Sequence, residues 1–213
     1  MIKLERTSVM NFENAIRGAR NPMNSWDKMD SKFNVDYSQT GMWFGPNDLA
    51  LARKLVKAGS DHRKFLRQIF VSVDITAPLY WWKEFDTYKV GTTANSCSTM
   101  HKIHVKSFDR DDFSHDRMDD GALALLDATI VYLESERKKF LDDKNNRQPW
   151  HNMIQSLPSS YNQMRTVTLT YENLLNQHRA RKNHKLAEWH TYCDWIETLP
   201  YFKEMCLEDE TNG

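Results

Sequence analysis

An α+β fold, with a mixed or antiparallel sheet and a mainly helical second half, is what this sequence predicts. Three observations carry the reading. The run FVSVDITAP alternates, with Val71, Val73 and Ile75 on one side and Ser72, Asp74 and Thr76 on the other, the period of a strand with one buried face. Leu123, Leu126, Ile130 and Leu133 recur at intervals of 3, 4 and 3, the period of an amphipathic helix. Leu186, Trp189, Cys193 and Ile196 repeat that spacing near the end of the chain. Strands early and helices late argue against alternating βαβ units.

In chain order, Ile2 and Leu4 alternate with Lys3 and Glu5 and predict a short first strand. An irregular stretch runs through the Gly41–Pro46 region. Asn47 then caps a helix over 48–58, with Leu51 and Leu55 on one face and Gly59 at the C-terminal cap position. Ser60 or Asp61 starts a short helix carrying Phe65, Leu66 and Ile69. Pro78 stops the strand FVSVDITAP. The aromatic segment LYWWKEFDTYKV fits either period, and the small polar run GTTANSCSTMH reads as a loop open to a ligand. The charged stretch Asp109–Asp120 is a surface loop, and Asp119 or Asp120 starts the helix of Leu123–Leu133. Tyr161–Arg181 is expected to be helical, although TVTLTY also alternates.

The 213 residues, 40% of them hydrophobic, are enough to bury a core as a single domain over 1–213. Lys+Arg and Asp+Glu are both 29, which leaves no net attraction to duplex nucleic acid or to a membrane surface. Cys97, Cys193 and Cys206 are odd in number and widely spaced, so neither a disulfide framework nor a zinc ribbon is expected. The segment MIKLERTSVMNF lacks the apolar core of a signal peptide. The longest nearly apolar stretch, Ala122–Leu133, is shorter than the roughly 20 residues of a membrane span. The expected compartment is the cytoplasm, of a host cell if the protein is viral. Seven Trp and ten Met suggest a dense core and a subunit interface.

No GxGxxG or GxxxxGKS phosphate loop occurs. His101 and His104 lie three apart with no Cys or carboxylate cluster beside them, so no metal site is expected. Two segments concentrate polar groups beside aromatics. One is Trp81–His101, with Glu84, Tyr88, Lys89, Asn95 and Ser98; the other is Asn176–Glu188, with Asn176, His178, Arg179, Arg181 and His184. Asn176 and Arg179, three apart on a helix, can offer an amide and a guanidinium to one ligand; the same spacing also suits a solvated basic face. Cys97 has no general base beside it in sequence, and no catalytic residue is assigned.

The run QIFVSVDITAPLYWWKEFDTYKVGTTANSCSTMH resembles the central strand, Ala-Pro turn and signature region of flavin-dependent thymidylate synthases. Leu157-Pro158, Asn176, Arg181 and Ala187-Glu188-Trp189 echo that family's later stretch. GARNPMNSW and KAGSDHRKF are similar to its earlier segments in position and character, so the resemblance spans most of residues 1–200. It implies the fold of the thymidylate synthase-complementing proteins, a homotetramer with shared active sites, and binding of FAD and dUMP for methylenetetrahydrofolate-dependent synthesis of dTMP. Set against that pattern, Thr87-Tyr88-Lys89 stand where the family has Arg-His-Arg, and Met100 replaces its last signature Arg. Thr170 and Glu172 stand where the family has Asn and Arg contacts to flavin.

The resulting expectation is a divergent member, viral (phage) in one form, that binds a nucleotide, with no cofactor expected and FAD disfavoured. A carboxylate at Glu172 repels cofactor phosphates, and several lost contacts at ~1.5 kcal/mol each abolish FAD binding. The nucleotide-binding set is Glu84, Tyr88, Lys89, Asn95, Ser98, Asn176, Arg179 and Arg181. Trp82 and Tyr88 are available for stacking. A sequestering role, an active synthase or folate-dependent pyrimidine-modifying enzyme, and a purely structural oligomer remain open.

Overall fold

In the computed structural model, residues 2–33 and 41–207 are described. A four-stranded sheet runs in the order β1-β4-β6-β5, from β1 (Lys3–Met10), β4 (Phe70–Pro78), β6 (Asn162–Thr170) and β5 (Thr93–Ser96). A separate antiparallel pair joins β2 (Lys32–Phe33) to β3 (Met42–Trp43). The helices are α1 (Phe12–Arg20), α2 (Pro46–Lys57), α3 (Leu79–Phe85), α4 (Thr99–Lys102), α5 (Asp120–Asp142), α6 (Gln148–Ser156), α7 (Tyr171–Arg181), α8 (Ala187–Glu197) and α9 (Phe202–Cys206). The architecture is α+β. No helix among the described residues is long and apolar enough to cross a membrane.

β4 occupies the span that its alternation predicts. Val71, Val73 and Ile75 are buried to 1% exposure or less, while Ser72 and Asp74 meet β6 through Thr168 (3.4 Å) and Thr166 (2.6 Å). These two pairs fall in reverse order along the strands, so β4 and β6 are antiparallel. The expectation of helix from Tyr161 onward is corrected. The chain is strand through Thr170, whose hydroxyl accepts from the Asn173 amide while Asn173 reaches back to Thr170, and only then helix. β-branched Val167, Thr168 and Thr170 favour the pleated conformation, and the reciprocal cap defines the switch to α7.

Residues 2–5, 74–88 and 94–166 gather into one compact unit. In it α5 packs on α6 around Leu126, Leu133, Phe140 and Met153. Asp119 caps α5 by accepting from the Ala122 amide at 2.8 Å. The ambiguous aromatic segment is helix α3, entered from Pro78. Trp81, Trp82 and Phe85 are buried, and Trp82 Nε1 donates to the Gln163 carbonyl at 2.9 Å. Arg165 lies over the Trp82 ring at 4.1 Å. The run expected to be a loop contains β5 and α4, because Cys97 N donates to Met164 O at 2.9 Å and ties this run to β6.

Residues 6–33, 41–73, 89–93 and 167–207 form the second unit. Its core is aromatic: Phe12 meets Phe44 at 5.7 Å and Tyr171 at 5.5 Å, both edge-on, and Tyr171 meets Phe202 at 5.3 Å. Helix α2 starts at Pro46 with Gly45 as its cap, two residues ahead of the Asn47 cap read from the sequence. Gly59, at φ 101°, follows its end as expected. The short helix after it is a 3-10 turn, Lys64–Arg67, with Phe65 and Leu66 buried. Arg20 and Asp48, both buried, pair at 2.6 Å and join α1 to α2.

Candidate functional site

In the second unit, the N-terminal turn of α7, the loop Lys89–Thr93 and the 3-10 turn enclose a cavity of about 520 Å³. Its lining is Arg67, Phe70, Val90, Gly91, Thr170, Glu172, Asn173 and Asn176. Local sequence explains how each wall is set. Asn173, as the third residue of α7, completes the cap with Thr170, and its Nδ2 donates to the Val90 carbonyl at 2.7 Å. This bond holds the loop against the helix start. Gly91 has φ 72°, and a Cβ there would stand 3.1 Å from Asn173 Oδ1, so only glycine fits without moving the cap.

Behind this wall lies a buried charge pair. Arg63 Nε donates to Glu172 Oε2 at 2.9 Å and Arg63 Nη2 to Glu172 Oε1 at 3.1 Å, and Nη2 also reaches Asn176 Oδ1 at 3.1 Å. The two side chains are 9% and 10% exposed. Glu172 sits in the first turn of α7, where the helix dipole also favours an anion. Its carboxylate is therefore compensated twice and does not present a bare negative charge to the cavity. Arg67, by contrast, is exposed at the cavity, and one of its nitrogens donates to the Ser60 carbonyl at 3.1 Å. The site thus offers a guanidinium, two side-chain amides, a side-chain-free backbone stretch and the half-exposed ring of Phe70, at 40% exposure. That is the equipment for holding a phosphate, a polar ring edge and a flat ring.

Of the residues expected from sequence, Asn176 lines this cavity. Lys89 lies in the same loop, exposed, one residue before the lining. Arg179 and Arg181 lie farther along α7 outside the lining, and the Arg181 guanidinium covers the Trp189 ring at 4.8 Å. Glu84, Tyr88, Asn95 and Ser98 belong to the other unit. There Glu84 lies in the last turn of α3, Asn95 is exposed in β5, and Ser98 caps α4 by accepting from the His101 amide. Arg63 and Arg67 were missed. Both lie in or beside KAGSDHRKF, whose similarity to an early segment of the family was the signal that could have found them. Among the described residues no group of three or more His, Cys, Asp or Glu could hold a metal ion.

No family model matches the sequence, and no curated protein matches it. Solved structures do. Thymidylate synthase X (ThyX) from Helicobacter pylori, crystallised with FAD and dUMP, superposes with a TM-score of 0.69 at 15% identity, over 100% of both chains. A second structure of the flavin-dependent thymidylate synthase ThyX from the same organism, also complexed with FAD and dUMP, gives 0.67 at 16% identity, over 97% of this chain and 98% of that one. The chain has the ThyX fold. The expectation of no cofactor is thereby corrected, since both ThyX structures hold FAD. Its physical premise also fails: the carboxylate held to repel cofactor phosphates is neutralised by Arg63.

Proposed function

We propose that this protein is a thymidylate-synthase-related nucleotide-binding protein that takes FAD in the cavity at the start of α7 and a deoxyuridine nucleotide as its second ligand. One observation carries the reading. Thr170 and Glu172, which fall at flavin-contact positions in the sequence resemblance, converge on one cavity with Asn176 and Arg67, and the one acid among them is paired. The groups fit the cofactor's chemistry. Arg67 would hold a phosphate, the amides of Asn173 and Asn176 a polar ring edge, and Phe70 a flat ring face. Gly91 lets the backbone come close. Bound there, a flavin would supply reversible hydride transfer. The chain's own residues bind it and shield one side of it from water.

Titration of the purified protein with FAD, followed by quenching of flavin fluorescence, tests this. Arg67→Ala should weaken binding about tenfold or more, the loss of a charged hydrogen bond, with the melting temperature nearly unchanged because Arg67 is exposed. Equal affinity in wild type and variant would remove Arg67 from the site, and no FAD binding by the wild type would end the reading. A second reading, a binder that does not turn its nucleotide over, is favoured by Thr87-Tyr88-Lys89 in place of Arg-His-Arg. Lys89 keeps a cation there, but no planar fork remains. Tritium release from 5-tritiated dUMP with FAD, NADPH and methylenetetrahydrofolate decides between them.

A further inference from the structure

His101 and His104, three apart in the sequence and without a metal partner, line a second cavity inside the first unit. Its volume is about 380 Å³, and Met100, Phe140, Arg147 and Trp150 complete its walls. Helix α4 supplies Met100 and His101, and the turn after it His104. Phe140 comes from the last turns of α5, Trp150 from the first turn of α6, and Arg147 from just before α6. Trp150 Nε1 donates to the Met100 carbonyl at 3.1 Å and closes α6 on α4. The His104 ring stands edge-on to the buried Phe140 ring at 5.0 Å. Flat and apolar surface therefore makes up much of the lining.

No carboxylate lines this cavity. Two acids on α5 are already engaged, Glu134 by Arg137 and the Phe108 amide, and Glu136 by Lys139 and Asn152. Arg147 makes no hydrogen bond or ion pair among the described residues. Its guanidinium only rests over the Phe140 ring at 6.0 Å, the outer limit of a cation–π contact. His104 Nδ1 is buried without a partner. A buried N–H with no acceptor is costly, so the favoured tautomer leaves that nitrogen bare and carries the proton on Nε2. Burial and the charges of Lys144, Lys102 and Arg137 hold this imidazole below its ordinary 6.5, so it is a neutral donor at pH 7. The first turn of α6 contains no acid, and the helix dipole there favours an anion.

These groups define a ligand. One permanent cation in the lining, Arg147, balances one negative charge, whereas a dianionic phosphate asks for more. The guanidinium fork matches the two oxygens of a carboxylate. Phe140 and Trp150 suit a flat apolar body. We propose that this cavity binds a small aromatic carboxylate, its charged end on Arg147 and His104 Nε2 and its ring against Phe140 and Trp150. The cavity shares no lining residue with the one at the start of α7, and the inference is independent of what that one holds.

The test titrates the full chain with 2-naphthoate by isothermal calorimetry. 2-Naphthylmethanol, which lacks the charge, and acetate, which lacks the ring, are the comparison probes. 2-Naphthoate should bind one to one and both comparison probes at least about tenfold more weakly. Arg147→Ala should weaken 2-naphthoate about tenfold or more, the loss of a charged hydrogen bond, with the melting temperature nearly unchanged because Arg147 is exposed. Arg147→Lys keeps the charge without the fork and should recover only part of the affinity. The His104 imidazole, followed by nuclear magnetic resonance, should titrate at higher pH in the complex, because a nearby carboxylate favours its charged form. FAD binding by Arg147→Ala should match the wild type, which separates this test from that of the α7 cavity. No binding of 2-naphthoate, equal affinity for 2-naphthylmethanol, equal affinity in Arg147→Ala, or displacement of 2-naphthoate by dUMP would each overturn the proposal.

Discussion

Replacing Arg63 by Met should cost this protein about 3–5 kcal/mol, the loss expected when one member of a buried ion pair is removed. The magnitude follows from the geometry. Arg63 gives Glu172 hydrogen bonds at 2.9 and 3.1 Å and gives Asn176 one at 3.1 Å, and the pair is 9% and 10% exposed. Methionine keeps the apolar stem but leaves the carboxylate without its partner in a site that water reaches poorly. Glu172→Met alone strands the guanidinium and should cost a similar amount. The double variant Arg63→Met/Glu172→Met buries no unpaired charge, so it should be less destabilised than either single one. Urea unfolding followed by both fluorescence and far-ultraviolet circular dichroism measures this, the two probes checking that a single transition is being read. A loss below about 1 kcal/mol for Arg63→Met would mean that the pair is effectively solvated. A double variant as unstable as the sum of the singles would mean that packing, not charge, is what Arg63 supplies. The same series tests the cavity: Arg63→Met should weaken FAD binding by re-exposing an anion, whereas the double variant should recover part of it.

Other outcomes follow from single sites. Burial works against a charged Asp48, but hydrogen bonds from Ser31, Arg20 and Asp30 outweigh it and hold its carboxyl below the ordinary 3.8. Its stabilisation is therefore complete above that value and fades as pH falls through it, so the stability gap between wild type and Asp48→Asn should be widest near neutrality and narrow below pH ~4; a gap independent of pH would refute this. Gly91→Ala, at φ 72° and 3.1 Å from Asn173, should cost about 1–2 kcal/mol in melting experiments and weaken FAD binding. A neutral substitution would mean that the loop Lys89–Thr93 is not pinned by α7. Burial raises the Cys193 thiol to about 11, Cys206 is also buried, and Cys97 is exposed. A colorimetric disulfide reagent at pH 8 should thus modify one thiol rapidly in the native protein and none in Cys97→Ser; fast reaction of a second thiol would contradict that burial.

What the sequence determined by itself was whatever depends on local period. Val71, Val73 and Ile75 place β4, and Leu126 and Leu133 place the inner face of α5, because alternation and heptad-like spacing each leave one way to bury the apolar side. Arg181, read as a ligand contact, was legible as a cation on a helix, but its position over Trp189 was not. Where both periods fit, as in TVTLTY, the expectation of helix was wrong; the neighbours that made it a strand, Ser72 and Asp74, lie 96 and 92 residues away. The site depended on tertiary structure most of all. Glu172 was legible as a negative charge at a cofactor position, and its partner Arg63 stands 109 residues earlier. The sign and cost of a buried charge are set by what surrounds it in space. Only the fold brings Arg63 to Glu172, and that contact turns a residue that argued against a cofactor into part of a neutral wall.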